Sequence, residues 1–571
     1  MSTDTSPSPT PSSRSATAAA AGRFVAPPVD LALLGVTALA VVIGIALRFA
    51  PRPGLWLDEA LTANIAALPL GEIGGALRHD GHPPLYYVLL HGWMAIGGES
   101  DWWVRALAGV ISVLGLPLTY LAGHRLAERS GAGPLGSRRT GLIALAVMAL
   151  LPYGVRYGAE TRMYSLVVLL VLAGYLLVDD LLAGRYRGGR RLLVAGGAAL
   201  VAGALLWTHY WSMWLLAAVG LLTLWKAWKA PTPEQRTGAR LLVGALVLGG
   251  VLFLPWVPAL LYQSANTGTP WGQRFGPASV VVISIVDFAG ARHGAAQLLS
   301  YVLVPLILMA TTVRIVSRAT MPVRKVEDGQ STRTRVWDSL VIDSAFAPRV
   351  RNELVVMGLT LGIGWAAAFA SNNTFASRYA AVIYPLFVLC VAAGMAVVRQ
   401  PRVTIVLLVG VLALSIFGDV GEIRFARSQT ESIVNDIADD IETNEVANPV
   451  VIACPDQLGV ALQRQLDQQL DTGTEVIPYP TAGDPHFVDW VGYGERNESS
   501  DPEQFVAELG DRLPADATVY LVASTTYRTF EGKCEQLIAT LNRERDLTQL
   551  QSSTPDDHDE TADLMVLRPR T

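Results

Sequence analysis

Five short stretches hold residue types that could do chemistry. LWLDEA (55–60) sets two adjacent acids, Asp58 and Glu59, in an otherwise apolar segment. GHPPLYY (81–87) puts His82 before a proline pair. VRYGAETRMYSL (155–166) carries Arg156, Glu160, Arg162 and Tyr164, and FASRYAAVIYPL (375–386) carries Arg378 and Tyr379. THYWSMW (208–214) adds His209. Burying an unpaired carboxylate costs several kcal/mol, so an acid doublet in an apolar segment needs a partner or a task. A carboxylate facing a hydroxyl can take its proton as that oxygen attacks. Arginine suits a phosphate clamp, because its planar fork donates hydrogen bonds in pairs. Together these types support hydroxyl activation beside a bound anion.

Each stretch also has a plainer explanation. The acids could be solvated charges at a membrane boundary. The prolines could simply open a helix, since Pro is tolerated in a first turn. Arg156 and Glu160 are four apart and read first as an ordinary surface pair. Arg162 and Arg378 could snorkel to the interface. The aromatics around His209 read first as interfacial belt residues.

The elements that must position these residues are membrane spans. Of 571 residues 51% are hydrophobic and 16% charged, well below the roughly one quarter charged in soluble domains. Apolar runs of about 20 residues recur, and only helices are plausible spanning elements for them. About eleven spans are expected, near 30–49, 104–124, 140–157, 163–183, 192–210, 211–228, 241–262, 298–316, 354–371, 379–398 and 403–419. The first is too long for a signal-peptide core and reads as an uncleaved span. The stretches 85–97 and 278–290 are short and ambiguous. Residues 1–29, rich in Ser, Thr, Pro and Ala, read as a disordered tail.

Lys and Arg concentrate in alternate connections: 124–139, 184–191, 226–240, 314–351 and 399–402. The positive-inside rule places these in the cytoplasm. The amino terminus is then cytoplasmic, and Asp58 and the polar carboxy-terminal region lie outside. The candidate residues, with Arg105, Arg274, Arg292 and His293, all fall near outer ends of spans. Convergent ionisable groups at one membrane face are a default site hypothesis. Residues 421–571 alternate β-like runs (448–454, 518–524, 562–569) with helical patterns, as a small α/β domain would. VGYGER does not sit in a strand-to-helix turn, which argues against nucleotide binding. No Cys/His cluster suggests zinc. Cys454 and Cys534 could pair if the domain is extracytoplasmic.

Taken together, LWLDEA, GHPPLYY, GAETRMYSL and SRYAAVIYP resemble the ordered motifs of the GT-C superfamily of membrane glycosyltransferases. The resemblance is to the branch of protein O-mannosyltransferases and aminoarabinose transferases, also called glycosyltransferase family 39. It covers roughly residues 30–420. It implies a polytopic α-helical catalytic domain whose first outer loop, about 50–103, forms amphipathic helices on the membrane. It implies a polyprenyl-phosphate sugar donor, mannosyl or arabinofuranosyl, and an extracytoplasmic glycan, lipoglycan or protein acceptor. Asp58 matches the base position and Glu59 its acidic neighbour, both taken as catalytic. His82, Arg162 and Arg378 match positions near the donor phosphate, and Glu160, Tyr164, His209 and Tyr379 are candidate substrate contacts. No protein metal cage is legible, and a divalent cation bridging acid and phosphate stays open. Inverting displacement in cell-envelope synthesis is the expected reaction. The carboxy-terminal region matches no motif of the family. Two other readings remain beside it: a flippase or transporter for a lipid-linked sugar, and a non-catalytic envelope assembly scaffold.

Overall fold

The structure, a computed structural model, describes residues 28–268, 275–290, 294–316, 350–371, 374–398, 400–469 and 474–570. The expected tail lies almost wholly outside the described residues, as does most of the basic 314–351 connection. Arg274, Arg292 and His293 lie outside them too.

Every long apolar run falls on a helix. The helices are Pro28–Arg48, Asp101–Arg129, Pro134–Leu150, Tyr164–Ala183, Gly188–Thr208, Ser212–Lys229, Pro233–Phe253, Gly294–Val316, Arg351–Ala370, Tyr384–Ala396 and Pro401–Arg424. Among the described residues seven helices are long and apolar enough to cross a membrane, counting Pro233–Asn266 as one. Leu39, Val42, Leu193 and Leu200 are each more than 60% exposed on this bundle. Leucine and valine displayed over so wide a surface belong against lipid. The chain is a membrane-embedded helical protein with a small carboxy-terminal sheet.

Several boundaries differ from the hydropathy reading, and proline explains them. The expected span 140–157 breaks at Leu151, which is extended at ψ 128°, and a short helix Pro152–Tyr157 follows. Proline disfavours helical geometry in the residue before it and has no N–H to give the carbonyl four residues back. That carbonyl, Met148 O, accepts instead from Arg48 Nη2 at 3.2 Å, and Ala149 O accepts from Arg48 Nη1 at 2.7 Å. The expected span 379–398 begins later, at Tyr384, after a 3₁₀ segment Ser377–Val382 that presents Arg378 and Tyr379. Gly394 allows that helix to pack closely, since a Cβ there would lie 1.9 Å from Leu306 O.

The ambiguous stretch 85–97 is a 13-residue helix, Leu85–Gly97, too short to span. With Leu57–Ala67 and Leu70–Asp80 it makes a three-helix segment at the end of the bundle where Tyr164–Ala183 begins. At the opposite end, ion pairs tie the helix termini: Arg129 to Asp179 (2.9 Å) and Glu353 (2.5 Å), Arg125 to Asp180 (2.8 Å), and Arg139 to Asp30 (2.6 Å).

Beyond Arg424 the chain forms a five-stranded sheet in the order β2-β1-β3-β5-β4. The strands are β1 (Pro449–Cys454), β2 (Val476–Pro478), β3 (Thr518–Ala523), β4 (Arg545–Gln551) and β5 (Asp563–Pro569). β2, β1 and β3 run parallel, and β5 and β4 are antiparallel. The three apolar runs legible in the sequence are the three central strands. The edges, β2 and β4, were not legible: one is three residues long, and the other, RDLTQLQ, leaves most of its side chains exposed.

Cys454 and Cys534 form a disulfide that ties β1 to the helix Lys533–Leu541. Non-reducing peptide mapping is expected to recover the linked pair, with Cys390 alone alkylated after denaturation. Recovery of Cys454 and Cys534 as free thiols would contradict it. Replacing both cysteines by serine should lower the stability of the carboxy-terminal domain by about 2–5 kcal/mol, read by thermal unfolding.

Candidate active site

The helix Leu57–Ala67 (LDEALTANIAA) is built of good helix formers. Its acids stand in the first turn, where the helix dipole favours them. Leu57, Leu61 and Ile65 are buried beneath it, which sends neighbouring Asp58 and Glu59 in different directions. Glu59 is 1% exposed and accepts from Arg105 at both oxygens, Nε to Oε1 at 2.8 Å and Nη2 to Oε2 at 2.5 Å. Its Oε1 also accepts from Thr161 N at 2.8 Å. Both Glu59 oxygens are thus engaged in a buried ion pair, and Glu59 fastens the acidic helix to the 158–163 turn.

That turn delivers Arg162, 3% exposed. Its Nη1 donates to Thr62 Oγ1 (2.8 Å) and Asp58 O (3.2 Å), and its Nη2 to His82 Nε2 (3.1 Å). A guanidinium can only donate, so His82 Nε2 accepts and the ring proton sits on Nδ1, directed at Asp80 Oδ2 2.9 Å away. Asp80 also accepts from Tyr87 OH at 2.9 Å. Gly81, at φ +87°, turns the chain from the helix Leu70–Asp80 into the His82-Pro83-Pro84 corner, a left-handed conformation suited to glycine. Asp58 Oδ2 lies 3.2 Å from Arg378 Nη1 and 3.9 Å from Arg162 Nη2.

Burial alone would raise the Asp58 carboxyl, but Arg378 and then Arg162 outweigh it and hold Asp58 below the usual carboxylate range. His209 is pushed well below the ordinary imidazole value, by burial first and then by the positive charge of Arg162 and Arg378, so it stays neutral. Its Nδ1 accepts from Trp211 N at 3.1 Å, and its ring lies between those of Tyr164 (5.7 Å) and Tyr379 (5.4 Å). His209 and Trp211 are buried, so the belt reading of THYWSMW fails. The turn folds inward because Trp211 packs on Phe375 and Tyr379.

Asp58, His82, Arg162, His209, Arg378 and Tyr379 line one cavity of about 480 Å³. Met213, Trp214, Leu260, Leu261, Ala367 and Ala368, on helices of the bundle, add apolar side chains to the same lining. Leu261 is 64% exposed to the surroundings of the bundle. Asp80, Gln263 and Trp490 also line the cavity and were not singled out from the sequence. Asp80 had a signal, an acid two residues before His82. Trp490 had none, because it comes from the carboxy-terminal domain.

Glu160 and Tyr164, expected as substrate contacts, are not in the cavity wall. Glu160 is 3% exposed and belongs to a neighbouring ionic cluster, 3.7 Å from Arg156 Nε and 3.8 Å from Arg427 Nε. Arg156 also reaches Asp287 at 3.4 Å. The i,i+4 pair is thus buried rather than superficial, because the carboxy-terminal segment lays Arg427 over it. Tyr164 is fully buried behind His209. Among the described residues no group of three or more His, Cys, Asp or Glu side chains is arranged to hold a metal.

No family model and no curated relative matches the sequence. Among solved structures the chain is similar to ArnT from Cupriavidus metallidurans in the apo state. The TM-score is 0.43 at 13% identity, over 94% of this chain and 98% of that one. It is similar also to the same protein bound to undecaprenyl phosphate (TM-score 0.40, 13% identity, 94% and 97% covered). A third likeness is to the archaeal oligosaccharyltransferase AglB from Archaeoglobus fulgidus in complex with an inhibitory peptide and a dolichol-phosphate. There the TM-score is 0.41 at 13% identity, with 91% and 73% covered. The likeness is distant, and no residue role is taken from it.

Removing one partner of a buried ion pair leaves the other uncompensated, at roughly 3–5 kcal/mol. Glu59→Ala is therefore expected to lower the melting temperature of the detergent-solubilised protein sharply. The double variant Glu59→Leu/Arg105→Met, which removes both charges, should recover much of that loss. Equal stability of Glu59→Ala and the parent would refute the fastening role.

Proposed function

We propose that the chain transfers a sugar from a polyprenyl-phosphate-linked donor to a hydroxyl acceptor at the extracytoplasmic membrane face. The donor is mannosyl or arabinofuranosyl, and the acceptor is a cell-envelope glycan, lipoglycan or protein. One observation carries the reading. Asp58, Arg162 and Arg378, from segments separated by more than 100 residues each, meet in one cavity whose lining also carries apolar side chains, among them Leu261, largely exposed on the bundle. A phosphate joining a sugar to an isoprenoid tail combines the same two characters, an anionic head and a greasy chain.

Arg162 and Arg378 take the donor phosphate. His82, which accepts from Arg162 through Nε2, orients that guanidinium, with Asp80 behind it. Asp58, held ionised by the same cations, accepts the acceptor hydroxyl proton. The acceptor oxygen bonds to the anomeric carbon as the bond from that carbon to the phosphate oxygen breaks, with inversion. The polyprenyl phosphate leaves with the electron pair, and its charge is met by the two arginines. Stabilisation of developing charge by fixed donors is the larger contribution to the rate, and the base adds a factor of about 10²–10⁴. No leaving-group acid is required, unlike the two-carboxylate arrangement of glycoside hydrolysis.

The orientation follows from charge: the face carrying Asp58 and the sheet domain is placed outside, and the face with the basic connections inside. The disulfide agrees with an oxidising compartment for that domain.

The test is transfer from labelled polyprenyl-phosphate mannose and arabinofuranose by protein in lipid nanodiscs. Asp58→Asn is expected to lower kcat by about 10²–10⁴ while donor binding persists. Arg378→Ala and Arg162→Ala should weaken donor binding as well as kcat. Transfer at the parent rate by Asp58→Asn would remove Asp58 as the base. Movement of the labelled lipid across the bilayer without transfer would favour a flippase.

A further inference from the structure

We infer that Glu560, in the carboxy-terminal domain, is a positioning residue for the Asp58 helix and supplies from a distance the cap that this helix lacks. The functional half of the inference rests on Asp58 being the base proposed above. The capping half stands on geometry alone.

The first N–H groups of a helix have no partner within it and are ordinarily met by a side chain just before the first turn. Here the capping position is Trp56, whose side chain has no oxygen, and no local side chain caps the helix. Leu57 N donates instead to Glu560 Oε2 at 3.2 Å, across 503 residues of sequence. The approach to the helix is held in the same way. Gly54 N donates to Glu431 Oε2 at 3.0 Å, and Leu55 N to Asp101 Oδ2 at 3.2 Å. Asp101 is itself gripped from the carboxy-terminal domain, by Arg464 Nε at 3.0 Å and Gln468 Nε2 at 3.1 Å. The residues leading into Asp58 are thus fixed by carboxylates that the carboxy-terminal domain either provides or restrains.

Glu560 is placed firmly enough for this task. It is 3% exposed. Its N–H donates to Arg427 O at 2.9 Å, and its carbonyl accepts from Gln429 N at 3.0 Å. The carboxylate stands at the positive end of the helix dipole, where an acid is favoured. Leu57 immediately precedes Asp58, so a freed Leu57 peptide lets the first turn fray and Asp58 swing away from Arg378. Burial lifts the Glu560 carboxyl to about 7. The oxygen facing Leu57 accepts whether or not the group is ionised, so an amide in its place should still cap.

The experiment uses the full chain in nanodiscs with three variants. Glu560→Met keeps the side-chain length and loses the acceptor. Glu560→Gln keeps an acceptor without the charge. Trp56→Ser in the Glu560→Met background restores a local cap. Deuterium exchange at the amides of 57–60 is expected to rise roughly fivefold in Glu560→Met, the effect of losing one cap, and to return towards the parent in the other two. With labelled polyprenyl-phosphate mannose or arabinofuranose as donor, kcat should fall about tenfold in Glu560→Met with the donor KM unchanged. The same two variants should restore it. A role confined to folding would lower the melting temperature in all three without this pattern of rescue. Parent-like exchange at 57–60 in Glu560→Met overturns the capping. Parent-like kcat with raised exchange overturns the positioning. Absence of transfer by the parent from either donor would instead count against the proposed function, and the exchange measurement would still decide the cap.

Discussion

A buried guanidinium is costly unless its charge is met, and in this molecule both terminal nitrogens of Arg162 find partners on two separate pieces of chain. It binds the Asp58 carbonyl and Thr62 hydroxyl of one helix, the His82 ring of the following corner, and lies near the Asp58 carboxylate. An unpaired charge at 3% exposure is too costly to persist. These segments are therefore not free to move independently: shifting one strands the cation. Arg378 closes the arrangement from a fourth segment, some 200 residues further along the chain.

The same constraint recurs around the site and gives the surrounding structure its rigidity. Glu59 spends both oxygens on Arg105 and the Thr161 amide, so the helix carrying Asp58 and the turn carrying Arg162 are fastened on the side away from the cavity. Arg48 answers carbonyls left open where Pro152 breaks its helix. The carboxy-terminal domain answers the amides that precede Asp58. Each of these polar groups would be expensive to leave alone in an apolar setting, and each is met by a residue distant in sequence. The reactive face of the cavity is what remains: Asp58, Arg162 and Arg378 directed at space rather than fully consumed by one another.

Much of this was legible in the residues. The helical membrane character followed from recurring apolar runs. The expectation that His82, Arg162, Arg378 and Asp58 share one place followed from finding charged groups near the ends of spans, where charge is costly without purpose. Glu59, Glu160 and Tyr164 sit in the same motifs as the cavity residues but do not line it. Neighbours on a short helix or turn point in different directions, and nothing in a motif says which of them meets the void. Hydropathy also ran straight through Leu151–Pro152 and through Ser377–Val382, because it sums apolarity and is blind to a missing N–H. The edge strands escaped because β2 is too short to show alternation and β4 lies mostly exposed.

The sequence by itself determined what is set by local composition: which runs enter the bilayer, which face collects positive charge, where strands and helices alternate beyond the last span, and which residues are equipped for proton and phosphate chemistry. Only the tertiary structure decided which of those residues meet. It paired Glu59 with Arg105, buried Glu160 under Arg427, brought Trp490 to the cavity, and gave the Asp58 helix a cap from Glu560 across 503 residues. The division has a physical cause. Transfer into lipid is a property each segment carries alone, whereas satisfying a buried charge or amide requires a partner, and in a folded chain that partner can come from anywhere.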